Sequence, residues 1–183
     1  MQKKRNFHNF YNHVNLALLT GINYSNSNKI LKLNKITLVA NIVPYAYDKT
    51  KIEIISEELF SICNQKPTLT KAKKSIASLS VRAGVPVSLL VTLRGNKMYS
   101  FLEKCLHFAF PRIRDFTGFS LKSFDKQGNY TIFIKDKFVF PEIEYNELDI
   151  TRGYTIICST NLCSRYKSFL FLKKIGLPFA NSQ

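Results

Sequence analysis

Two runs rich in β-branched and apolar residues, 68–72 and 85–94, enclose a twelve-residue segment, 73–84, that holds Lys73, Lys74 and Arg82 and no acid. Two strands this close in sequence read as a hairpin with a basic, small-residue tip. The other segments arrange themselves around that unit. Residues 36–43 predict a strand ended by Pro44, and Asp48 is placed to cap a helix whose Ile52, Ile55, Leu59 and Ile62 share one face, with Pro67 as its stop. Asn96 is placed to cap a second helix, whose Met98, Phe101, Leu102, Cys105, Leu106 and Ala109 fall at helical spacing up to Pro111. Residues 111–127 show no clean period and read as an ordered loop, followed by strands at 130–134 and 154–159. Ser164 opens a last helix with Tyr166, Phe169, Leu170 and Ile175, closed by Gly176 and Pro178.

At the N-terminus Phe7, Phe10, Tyr11, Val14 and Leu18 recur at helical spacing, which predicts a helix over 1–22, followed by a polar loop over 23–34. The acid-free stretch 1–47 also has the look of a transit peptide, but it has a single Arg and no Ser before Ser25, and the docked helix is preferred. The resulting order is helix, β, α, β, β, α, β, β, α. It predicts one α+β domain over 1–183: a mostly antiparallel sheet, helices packed on one face, a long basic loop over 73–84 between two strands, and the other sheet face open.

Charge narrows the function. Lys plus Arg number 27 against 12 Asp plus Glu, a net +15, while 45% of the residues are hydrophobic, too many for a disordered basic tail. A folded polycation repels itself, and the usual reason to carry such charge is a polyanionic partner. The cations are concentrated: residues 65–104 hold eight basic residues and one acid, Glu103, whereas 136–149 hold five acids and only Lys137. The second stretch reads as a solvated acidic face suited to a basic protein neighbour. The longest apolar run, 14–22, is too short for a membrane span and is broken by Asn15, Thr20 and Gly21. Cys63, Cys105, Cys158 and Cys163 are too sparse for a disulfide scaffold and read as core thiols.

Catalytic constellations are missing from the sequence. His8 and His13 fall on different faces of one predicted helix, and His107 lies on the polar side of another beside Lys104. Cys158 and Cys163 lack a second ligand pair, so no metal site is expected. Neither a dinucleotide nor a phosphate-loop signature occurs, so no cofactor and no enzymatic activity are expected. The segment 71–86 is the sharpest candidate for binding, because four cations among small residues let backbone and side chains lie close to a phosphate ribbon. Polar residues on an open sheet face, such as Thr92 and Arg94, suit the splayed bases and 2′-hydroxyls of folded RNA.

Taken in order, Gln65-Lys66-Pro67, the run 70–77, Val91-Thr92-Leu93-Arg94-Gly95, Pro111-Arg112-Ile113-Arg114-Asp115-Phe116, Lys122-Ser123-Phe124-Asp125, Gly128-Asn129-Tyr130, Phe140-Pro141-Glu142-Ile143 and Arg152-Gly153 closely resemble the large-subunit ribosomal protein five family in content and spacing. Coverage runs from about residue 35 to Phe179. The resemblance implies an α+β protein of the central protuberance that binds 5S rRNA through its sheet and contacts large-subunit rRNA. It also implies that the basic loop reaches the peptidyl-site tRNA and that another edge bridges to a small-subunit head protein. Carried over residue by residue, the rRNA contacts are Gln65, Lys66, Thr92 and Arg94, and the tRNA contacts are Lys73, Lys74, Ser75 and Arg82.

Two departures stand out. Where the family usually has Gly-Phe-Lys the loop has Ser78-Leu79-Ser80, which removes a cation and an aromatic. After the first strand the family usually shows Asn and a Gly-rich turn, but this chain has Val39-Ala40-Asn41-Ile42-Val43-Pro44-Tyr45. Abundant Lys, Asn, Ile and Phe with seven Gly and no Trp suggest an AT-rich genome, and a mitochondrial ribosome is expected, with a plastid or bacterial one as the alternative. The expected role is a structural constituent of the large subunit that binds 5S rRNA or an equivalent helix. A free-standing RNA chaperone and an RNA-modifying enzyme are the rival readings.

Overall fold

The computed structural model describes residues 32–77, 81–143, 153–161 and 164–180. The helix predicted over 1–22, most of the polar loop after it, Cys163, and Glu144, Glu147 and Asp149 of the acidic stretch lie outside the described residues. The observed elements are β1 (Leu33–Asn41), α1 (Lys49–Cys63), β2 (Thr68–Lys71), β3 (Pro86–Leu93), α2 (Gly95–Lys104), β4 (Tyr130–Ile134), β5 (Tyr154–Thr160) and α3 (Arg165–Ile175). This is the predicted order of strands and helices.

The five strands form one sheet in the order β2-β3-β1-β5-β4. β2 and β3 pair antiparallel. Ile42 N–H donates to Val87 O at 2.9 Å and Asn161 N–H to Lys32 O at 3.1 Å, so β1 runs antiparallel to both its neighbours. Burial alternates along the strands with period two: Leu89, Val91 and Leu93 are buried in β3 while Ser88, Leu90 and Thr92 are half-buried, and Tyr154, Ile156, Cys158 and Thr160 are buried in β5. One face is thus apolar and covered while the other stays partly open, as a sheet with helices on one side requires.

Contacts within the chain fall into two compact units, one of residues 1–36, 94–132 and 157–183 and the other of 37–93 and 133–156. The first unit is aromatic. Phe124 lies 4.3 Å from Tyr130 and 5.9 Å from Phe179, centroid to centroid, and Phe110 meets Phe119 edge-on at 4.8 Å. Gly118 has φ +106°, and a Cβ there would fall 2.4 Å from the Ala180 backbone nitrogen, so only glycine lets the two segments approach. In the second unit α1 packs on β3 and buries Ile55, Leu59 and Ile62.

Several boundaries differ from the sequence expectation for local reasons. β1 ends at Asn41 rather than 43, because the Asn41 side-chain oxygen accepts the Val43 N–H at 3.1 Å and turns the chain into a 3-10 helix, Val43–Tyr45. α1 ends at Cys63, before Pro67, because Asn64 adopts the left-handed conformation at φ 52° and bonds back to Phe60 O. Asp48 holds the N-cap position of α1, yet its carboxylate pairs with Lys51 at 3.0 Å rather than capping a backbone N–H. The N-cap of α2 is Arg94, not Asn96. The helical path also runs through Pro111. It widens into a π-turn, Cys105–Ala109, then tightens into a 3-10 turn, Phe110–Arg112, whose first positions need no proline N–H. α3 buries Ser168, Phe171, Leu172 and Ile175 and leaves the expected Tyr166 exposed.

Burial raises the Cys158 thiol from 9.0 to about 12. Tyr130, whose hydroxyl donates to Ser120 O at 3.0 Å, rises from 10.0 to about 12, through burial first and the neighbouring Cys158 second. Below pH 9 both groups are neutral folded and unfolded, so their contribution is fully present. Above it the unfolded chain sheds protons that the folded chain keeps, and stability falls until about pH 12. Urea midpoints measured from pH 8 to 12 should therefore drop by an amount worth several kcal/mol, at about 1.4 kcal/mol per pH unit of separation. Cys158→Ala should delay the onset by about one unit. A flat profile would refute the assignment.

Candidate nucleic-acid interface

The second unit presents the predicted open face. Register pairs Thr68 with Leu90 and Thr70 with Ser88, so the residues of β2 and β3 that point away from Leu89, Val91 and Leu93 are mostly hydroxyl-bearing. Thr70 Oγ1 donates to Ser88 O at 2.8 Å and lies 2.6 Å from Ser88 Oγ, which holds these side chains at the sheet surface. Such a surface offers rotatable donors and acceptors without a charge penalty, a chemistry matched to base edges and 2′-hydroxyls.

Four residues were expected to touch rRNA. Gln65 and Thr92 are brought together: once Asn64 has turned the chain, Gln65 Nε2 donates to Thr92 O at 3.1 Å, across 27 residues of sequence. That bond fixes the Gln65 carboxamide at the end of β3, with its oxygen available as an acceptor. Lys66 follows and is exposed. Arg94 is exposed and extended (φ −138°, ψ 159°), and belongs to the other unit, where it precedes α2.

The basic segment has more internal structure than a loop of small residues predicts. Ala72 N–H donates to Val85 O and Gly84 N–H to Ala72 O, both at 2.9 Å, and Ile76 and Val81 exchange backbone bonds at 2.9 and 3.3 Å. Gly84, at φ +86°, supplies the third position of the turn from Arg82 to Val85 that closes with Val85 N–H on Arg82 O. Lys73, Lys74 and Arg82 are exposed along this stem. Ser75 differs from them, because its Oγ already accepts the Ala83 N–H at 3.0 Å and so serves the stem's own geometry.

Sequence reasoning missed one charged cluster. Lys137, assigned to a solvated acidic face, is fully buried, with Nζ 2.9 Å from Glu58 Oε1, while Tyr154 OH donates to Glu58 Oε2 at 3.0 Å. The signal was present in the apolar Phe138-Val139-Phe140 that follows Lys137 and in the place of Glu58 beside Leu59 on α1. Among the described residues no group of His, Cys, Asp and Glu is arranged to hold a metal ion, and no helix is long and apolar enough to cross a membrane.

Residues 86–179, from the first residue of β3 to the end of the aromatic cluster, match the family model of the ribosomal uL5 C-terminus. The chain is 40% identical over 165 residues to large ribosomal subunit protein uL5 of Synechococcus sp. (strain RCC307), covering 90% of this chain and 92% of that one. It is 41% identical over 170 residues to large ribosomal subunit protein uL5c of Guillardia theta, covering 93% and 94%. With uL5 of Streptococcus pneumoniae (strain Hungary19A-6) the identity is 42% over 171 residues, covering 93% and 95%.

Proposed function

This chain belongs to the uL5 family of large ribosomal subunit proteins, and from that premise we propose that residues 1–183 act as a single structural domain that anchors 5S rRNA, or an equivalent rRNA helix, and carries no reaction of its own. The observation that carries this reading is the Gln65–Thr92 bond, which sets a carboxamide on the edge of a hydroxyl-rich open sheet face. Exposed Lys66 and Arg94 add phosphate and base contacts. The stem of 72–85 extends toward peptidyl-site tRNA with Lys73, Lys74 and Arg82 as its phosphate contacts, and another edge meets a small-subunit head protein. The particle is the ribosome of a mitochondrion on composition, whereas relatives from bacteria and the uL5c protein support the plastid or bacterial alternative.

Thr92→Val and Arg94→Ala test the anchoring role. Each should weaken binding to 5S rRNA by about 1–3 kcal/mol, the worth of a lost base-level contact, with circular dichroism unchanged. Native spectra together with unaltered affinity would remove these residues from the interface. Co-sedimentation of the protein with large subunits through a high-salt cushion separates a structural constituent from a chaperone, which would wash off.

A further inference from the structure

The departure from the family pattern at 39–45 lies beside the root of the basic stem. There a cleft of about 740 Å³ opens on the second unit, with Val39, Ile76 and Val81 in its apolar lining and Asn41, Lys73 and Lys74 as polar members. That volume falls within the range of roughly 300–1,000 Å³ typical of sites for small organic groups. No acid lines it. Asn41, Lys73 and Lys74 are exposed, so the cations stand at the rim and not in the floor.

We propose that this cleft receives an unstacked nucleobase of an RNA loop, with Lys73 and Lys74 on the phosphates that flank it. The inference rests on the RNA-binding reading above and specifies what part of the RNA this end of the sheet takes. An apolar floor under a cationic, acid-free rim is complementary to a ligand that is flat and apolar at one end and anionic at the other, which describes a single nucleotide. A paired helix keeps its bases stacked inside and can offer only phosphates, so the occupant is a base already free of its stack. The Asn41 side-chain oxygen is engaged with Val43 N–H, which leaves its amide hydrogens to donate to a base edge. Val39 in place of a polar residue makes the floor apolar and favours insertion over hydrogen bonding at that position.

Two RNAs of equal phosphate count make the test: a hairpin with an unpaired adenine loop and a blunt duplex, each titrated against the full chain at one salt concentration. The wild type should bind the hairpin about tenfold more tightly, the value of one sequestered base. Ala72→Leu, which adds bulk to the cleft wall, should abolish that preference and leave duplex affinity unchanged. A 2-aminopurine placed in the hairpin loop should change its fluorescence on binding the wild type, a readout that needs no variant. Equal affinity for both RNAs, or an unresponsive 2-aminopurine, overturns the cleft assignment while leaving RNA binding in place. Failure of the wild type to bind either RNA overturns the RNA-binding reading itself.

Discussion

Lys137→Ala is expected to destabilise the protein by about 3–5 kcal/mol, because it leaves the Glu58 carboxylate poorly compensated in a low-dielectric setting. The ammonium is fully buried and 2.9 Å from Glu58 Oε1, and Glu58 retains only 12% side-chain exposure. Tyr154 would still donate to Oε2, but one neutral hydroxyl does not replace a cation. Lys137→Met together with Glu58→Gln should recover most of the loss, since the methionine keeps the apolar stem and no charge remains to be desolvated. Urea denaturation of the two variants against wild type measures both effects. A loss under about 1 kcal/mol in the single variant, or a double variant no better than the single, would show that solvent reaches the pair and that the ion pair does not organise this core.

The same residue shows where sequence legibility ends. Period and punctuation gave the eight described elements in order, because they report local chemistry: Ile55, Leu59 and Ile62 at helical spacing, Gly176 in the left-handed conformation after α3, alternation in 130–134. They could not give Lys137, because a lone cation among acids looks solvated until the fold sets Glu58, 79 residues away, against it. Helix ends were misplaced for a related reason. Asn41 and Asn64 each stop an element with a local bond or a left-handed turn, and both act before the prolines that sequence reading trusted. Tyr166 and Phe169 suggested the wrong face for α3, since aromatic residues lie at both edges of that helix and only packing chooses between them. Of the candidate site, residue identities came from motif order, whereas the Gln65–Thr92 bond and the self-bonded stem emerge only once the chain is folded.

Binding of rRNA should lose about two to four orders of magnitude in affinity between 50 and 200 mM salt, because neutralising about five to eight phosphates gives a slope of log K against log salt of roughly −4 to −7. The exposed cations are numerous enough. Lys66, Lys71, Lys73, Lys74 and Arg82 lie in the second unit, and Arg94, Lys97, Arg112, Arg114, Lys122 and Lys126 in the first. Arg165 contributes less freely, because its Nη2 already donates to Leu121 O at 2.6 Å. The slope also sorts residues by role. Replacing Lys73 and Lys74 with alanine should flatten it by about one to two, since counterions are no longer released there, whereas Thr92→Val should lower affinity at every salt concentration and leave the slope alone. Filter binding of an rRNA fragment across a salt series reads both quantities from one experiment. A slope near zero would mean that the net charge of +15 serves something other than phosphate, and a slope that changes with Thr92→Val would mean that the sheet face holds backbone and not bases.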